Sequence, residues 1–161
     1  MTDYLYYWKM DEVKTYIHRN ETLDYAASKQ FVSKGVNLND TIWLVTSLGL
    51  NLELVGKLTV SNLVSRSEAE GILNRRGLFG DESWTYAINA DRGTRKIFRV
   101  DITRDSESFE FVDRKGNPSP GINVQKACDP NEKRFTFGQA LQSMRRISST
   151  SAAILDARIS I

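Results

Sequence analysis

Apolar and polar positions along this chain recur in two registers, and the switches between them outline its elements. Tyr4-Leu5-Tyr6-Tyr7-Trp8-Lys9 is a dense aromatic run of high strand propensity and predicts a first strand. From Glu21 to Ser33 the period lengthens. Leu23, Ala26, Ala27, Gln30 and Phe31 would share one helical face, with Asn20 as N-cap and Gly35 as a stop. Val36 to Asp40 reads as a turn, and Thr41 to Ser47 as a buried strand. Leu48-Gly49-Leu50-Asn51 is too short for a crossover, so Leu52 to Val64 is expected to return as the second strand of an antiparallel hairpin.

Ser65-Arg66-Ser67-Glu68 has the spacing of a capping box and predicts a short helix through Leu73. Ser83 to Asn89 and Arg95 to Thr103 are strand-like, separated by a turn at Asp91-Arg92-Gly93. Phe109 to Val112 alternates with charged residues, as an edge strand does. Asn117 to Pro130 holds all three prolines and reads as a loop. Thr136-Phe137-Gly138-Gln139 opens a second capped helix, with Leu141, Met144 and Ile147 facing inward, and a last helix covers about Ser151 to Asp156. There is no internal repeat, low-complexity segment or interdomain linker. The expectation is one domain over residues 1–161, of α+β class: a small, strongly bent mixed or antiparallel sheet in a partly closed barrel, with helices packed on its outside.

Composition narrows the function classes. With 161 residues, 40% hydrophobic and 26% charged, the chain is long enough for a proper core and has the balance of a folded protein. No apolar run approaches the roughly 18 residues a membrane span requires. The opening Met-Thr-Asp-Tyr carries no basic region before an apolar stretch, so no secretory leader is expected. Cys128 is the only cysteine, which excludes an intrachain disulfide and fits a reducing compartment; the cytoplasm is the expected location. The net charge of +2 does not by itself argue for nucleic acid. Arginines do gather from residue 75 onward, at Arg75-Arg76, Arg92, Arg95, Arg99, Arg104 and Arg145-Arg146. Asp101, Asp105, Glu107 and Glu110 interleave with them. A mixed solvated surface is the plain reading, and a phosphate-contacting face the sharper one.

Catalytic constellations are scarce. His18 is the only histidine, so sites built on several His and Cys ligands are excluded by count. No nucleophile sits in a recognisable elbow, and there is no GxxxxGK[ST] or post-strand GxGxxG motif. No cofactor is expected. One carboxylate pattern stands out: Asp101 ends one strand-like segment, and Asp113-Arg114-Lys115 follows the next. On neighbouring strands, two such carboxylates can hold Mg²⁺ while Lys115 sits beside the attacking water, as in a nuclease. Yet Asp113 and Lys115 lead straight into Gly116-Asn117-Pro118, where a plain hairpin turn would place polar residues anyway.

Aromatics are the stronger signal. Three tryptophans and six tyrosines supply many flat faces, several near strand ends and close to Arg or Asn, as a pocket for a planar base uses them. Against this, Tyr4, Tyr6 and Trp8 share one strand face and read as core, as does mid-strand Trp43.

The order of segments resembles the EVE branch of the PUA-like superfamily, whose relatives include the YTH and ASCH domains. The resemblance lies in Tyr7-Trp8-Lys9 on the first strand, Arg19-Asn20 before Glu21, and Asn39-Asp40 ahead of Ile42 to Ser47. It continues through Val55-Gly56-Lys57-Leu58-Thr59-Val60, Val100-Asp101-Ile102, and Leu141, Met144-Arg145-Arg146-Ile147-Ser148 and Ser151. It covers most of the chain in short pieces. The family's turn glycine is Asn39 here, and its tryptophan ahead of Arg-Asn is absent, Tyr16 being the nearest aromatic. The resemblance implies a bent barrel-like sheet and a pocket for a modified nucleobase flipped out of DNA or RNA. It implies stacking by Trp8 or Trp84, edge hydrogen bonds from Asn20 and Ser47, and phosphate contact from Lys9 and Arg19. It also implies that Asp101 does no chemistry. Such a domain is non-enzymatic and acts alone or recognises for a partner that cuts or processes. The alternatives are the nuclease of Asp101, Asp113 and Lys115, and a small-molecule- or peptide-binding regulatory domain. A deep aromatic pocket lined by Arg and Lys, as against one neutral all round, separates them.

Overall fold

The computed structural model describes residues 1–18, 22–90 and 97–159, leaving aside the side chains of 16–18. It is an α+β arrangement of six α-helices around a nine-stranded mixed sheet among the described residues. Strand β1 (Asp3–Tyr7) runs parallel to β3 (Thr41–Leu48); all other pairs are antiparallel. The predicted hairpin forms as β3 and β4 (Asn51–Val64), with a register shift at Leu44/Val45. β4 is long enough to change partners: its first half bonds β3, its last residues bond β5 (Thr85–Asn89). β5 carries β2 (Tyr25–Ser28), and β6 (Val100–Asp101) lies beside Glu53 and Leu54 of β4. Beyond β1 come β9 (Arg145–Ile147), β7 (Phe111–Val112) and β8 (Pro118–Ser119). The path from β2 to β8 is open, so these strands do not close into a barrel.

Alternation along β1 and β3 sends side chains into two cores. Tyr4, Trp8, Ile42 and Leu44 pack on one face with Phe31 and Leu58. Leu5, Trp43 and Val45 pack on the other with Phe137, Ile147 and Leu155. Helix α6 (Ser149–Ile159) covers this second face, extending further each way than the Ser151–Asp156 expected. Helix α3 (Arg66–Leu73) forms as predicted: the Ser65 hydroxyl accepts from the Glu68 N–H, and Asn74 ends it at φ 52°.

Five expectations need correction. The edge strand expected over Phe109–Val112 is β7, which is paired on both sides, by β8 and β9. The helix over Glu21–Ser33 is β2 followed by one turn, α2 (Gln30–Ser33); Asn20, its supposed cap, lies outside the described residues. Tyr25 and Ala27 face one core and Ala26 another, so the true period of two was hidden because both faces are apolar. The helix carrying Leu141, Met144 and Ile147 stops early, as α5 (Phe137–Ala140). All three residues are buried, but the Gln30 side chain binds the Gln142 carbonyl and the Met144 N–H, and the chain continues extended into β9. Within the described part of Arg95–Thr103, only β6 is strand; the turn at Asp91-Arg92-Gly93 lies outside the described residues. The Asn117–Pro130 loop contains β8 and the one-turn α4 (Val124–Ala127). Helix α1 (Met10–His18) was not anticipated, although Asp11 and Glu12 in its first turn suit the positive end of a helix dipole. No described helix is long and apolar enough to cross a membrane.

Candidate aromatic pocket

Where β1 turns into α1, the chain leaves a recess of about 620 Å³, within the usual range of roughly 300–1,000 Å³ for small-ligand sites. Four separate stretches build it. Tyr6, Tyr7, Trp8 and Lys9 come from the end of β1, with Glu12 one turn into α1. Ala27 and Gln30 come from β2 and α2, and Phe79 and Trp84 from the segment between α3 and β5. Thr136, Gly138, Gln139 and Gln142 come from α5 and its flanks.

Local packing fixes the aromatic rings. The Tyr6 hydroxyl donates to the Ala27 carbonyl at 3.1 Å, and its ring meets Phe31 edge-on at 5.5 Å. Tyr7 and Ser47 share a hydroxyl–hydroxyl bond of 2.7 Å. Gly138 lies flush against Tyr7: a Cβ there would come within 3.1 Å of the phenol oxygen. Trp8 continues the β1 ladder through its N–H to the Val45 carbonyl at 2.8 Å, and it is almost fully buried. Trp84 is half-buried; Gly80, at φ +114°, passes so close that a Cβ would stand 3.3 Å from its ring. Phe79 is exposed, tied down by its N–H to the Tyr25 hydroxyl at 2.6 Å.

The polar lining is balanced. Lys9 is exposed, and its carbonyl accepts the first N–H groups of α1, from Glu12 and Val13. Burial pushes the Glu12 carboxyl above its usual range, against the opposing pull of the Lys9 charge and the Lys9 N–H. Gln30 spends its side-chain amide on the chain at 142–144, whereas the exposed Gln139 and Gln142 amides have no partner among the described residues. One cation, one acid and two free amides stand around a floor of aromatic rings.

Of the six residues singled out from the sequence, Trp8, Lys9 and Trp84 line this one recess. Ser47 stands behind it, holding Tyr7 in place. Arg19 and Asn20 lie outside the described residues. Tyr6, read as core, is half-buried and faces the recess. Phe79, Gln30, Gln139 and Gln142 were missed; a phenylalanine directly before Gly80, in a polar stretch, was the only local signal. Trp43 is core, as expected, its indole N–H on Asp3 at 3.0 Å.

The carboxylate pattern does not assemble. β6 and β7 are separated in the sheet by β4, β3, β1 and β9, so Asp101 and Asp113 are not on neighbouring strands. Asp101 accepts from the Thr103 N–H at 2.9 Å. Asp113 closes its turn by accepting from the N–H groups of Lys115 and Asn117. Thr103 holds the Asp101 carboxyl below its usual range, so it stays ionised. No group of three or more His, Cys, Asp or Glu placed to hold a metal occurs among the described residues.

No family model and no curated protein matches this chain.

Proposed function

We propose that this chain is a non-enzymatic domain that binds DNA or RNA by taking one unstacked, modified base into the aromatic pocket. The observation carrying this reading is the convergence of Trp8, Lys9 and Trp84, some 75 residues apart in sequence, on one recess floored by Tyr6 and Tyr7. Each base stacked on an aromatic ring contributes about 1–3 kcal/mol. The free amides of Gln139 and Gln142 add a donor and an acceptor each, the complement a base edge requires. Ser47, given an edge contact by the family resemblance, acts instead through Tyr7. The resemblance to the EVE branch supports the same reading, and the β3–β4 register shift is the kind of irregularity that bends a sheet toward that family's partly closed PUA-like barrel. A partner that cuts or processes the bound strand belongs to this proposal.

The test is fluorescence anisotropy with labelled oligonucleotides carrying or lacking methylated bases. Preference for one modification, lost in Trp84→Ala, is expected. Equal affinity for all of them removes the modified-base claim, and no binding removes the nucleic-acid claim. The balance of one Lys and one Glu favours a second reading, a free planar small molecule as ligand. Under that reading a nucleoside or similar compound binds while oligonucleotides do not.

A further inference from the structure

Tyr4, Tyr6 and Trp8 stand on the same face of β1 and its extension. The last two reach the aromatic pocket, but Tyr4 floors a different recess of about 250 Å³, one strand repeat of roughly 7 Å away. Its walls are the end of α2, the β7–β8 turn and β9, carrying Lys34, Arg114 and Arg146. The Arg146 guanidinium lies over the Tyr4 ring at 5.4 Å and donates to the carbonyls of Arg114 and Lys34. Arg114 donates to the Ser33 carbonyl. Both forks close over Gly35, where a Cβ would meet Arg114 Nη2 at 3.3 Å and Arg146 Nη2 at 3.4 Å.

Two guanidinium groups are thus held side by side, and no ion pair among the described residues reaches either. Asp113 is the single carboxylate lining the recess, and one of its oxygens already accepts two N–H groups of its own turn. Backbone carbonyls take one donor of Arg114, at Ser33, and two of Arg146, at Lys34 and Arg114, out of five in each fork. The remaining donors, with the Lys34 ammonium alongside, match the oxygens of a phosphate. Arg145 also borders the recess, but its guanidinium is engaged elsewhere: it lies over Phe111 at 4.4 Å and donates to Ser119 and Pro120.

We infer that Arg114, Arg146 and Lys34 form a phosphate-binding subsite for the nucleic-acid strand whose base enters the aromatic pocket. The inference rests on the function proposed above. One turn of α2 joins the two recesses, Gln30 lining one and Ser33 and Lys34 the other. Four residues of helix rise about 6 Å, the same order as the advance of one or two nucleotides, which is about 3.4 Å each along the axis of a stacked helix and more in an extended strand. A phosphodiester one or two positions from the bound base therefore falls within reach of the cationic recess.

The experiment measures binding of a 5′-labelled single-stranded oligonucleotide against salt concentration, for the unaltered protein, Arg114→Gln and Arg114→Gln/Arg146→Gln. Each cation removed from a phosphate should flatten the log–log salt slope by about 0.7. The single variant should show about that change and the double variant about twice it. Binding of the corresponding phosphate-free nucleoside, followed by tryptophan fluorescence, should not change. Arg146 also packs on Tyr4, so the exposed Arg114→Gln carries the test if the double variant melts early. A slope unchanged in Arg114→Gln overturns the subsite, while a base preference still sensitive to Trp84→Ala leaves the pocket reading standing. A flattened slope with no dependence on the base or on Trp84 leaves the subsite and removes the pocket reading. Failure to bind any oligonucleotide overturns both. Arginine-dependent binding of phosphatidylserine vesicles in place of oligonucleotides overturns the inference in favour of a lipid surface.

Discussion

Two places on the sheet treat the same kind of residue in opposite ways. On the face covered by α6, Trp43 is fully buried, its N–H is bonded to Asp3, and the Lys57 ammonium closes over its ring at 5.0 Å. At the end of β1, Tyr6, Tyr7, Trp8 and Trp84 instead border a recess of about 620 Å³ that stays open. Position on the sheet, rather than residue type, separates an aromatic that holds the fold together from one free to meet a ligand. The largest consequence is for Trp43. Trp43→Ala should cost about 3–5 kcal/mol in denaturant unfolding, and binding should fall only as far as the folded fraction does. A folded, stable Trp43→Ala protein unable to bind would contradict this division of roles.

Trp84→Ala should give the reverse pattern. Being half-buried, it should cost about 1–2 kcal/mol in stability. Affinity for the preferred oligonucleotide should fall by about ten- to a hundredfold, the equivalent of losing one stacked ring.

How much of this was readable before folding depends on where the information sits. The β3–β4 hairpin and α3 were legible because their signals are local: an apolar run, a connection too short for a crossover, and a Ser65–Glu68 cap. β2 was not, because Tyr25, Ala26 and Ala27 are apolar on both faces and alanine is also a good helix former. β9 was hidden for a different reason. Its approach is set by Gln30, more than 110 residues earlier, whose amide satisfies backbone groups a helix would have used itself. The pocket divides in the same way. Trp8, Lys9 and Trp84 could be singled out by type and position along the chain. Phe79, Gln139 and Gln142 join them only through the topology that brings α5 and the α3–β5 segment beside β1.

Smaller perturbations mark the boundary between support and contact. Ser47→Ala removes the 2.7 Å bond to the Tyr7 hydroxyl and should cost about 1 kcal/mol of stability. If Ser47 only positions Tyr7, affinity should change by less than about threefold, measured by the same anisotropy titration. The smallest effect is expected at Glu12. Burial raises its carboxyl pKa, so the folded chain holds that proton more tightly than the unfolded chain does. The associated stability is present below the ordinary carboxyl range and is lost as pH rises through the raised value. Glu12→Gln should therefore melt higher than the parent at neutral pH, and the gap should close near pH 3 (well below the ordinary carboxyl range of about 4). Melting curves at both pH values check this.

The proposed function requires that a base, not merely a charged strand, occupies the aromatic pocket. The direct measurement is a titration with two oligonucleotides identical except at one position, one carrying the preferred base and the other an abasic sugar. Both present the same phosphates to Arg114 and Arg146. An occupied pocket predicts at least about tenfold weaker binding of the abasic strand, together with loss of the tryptophan fluorescence change seen with the intact one. Equal affinity for the two strands would contradict it.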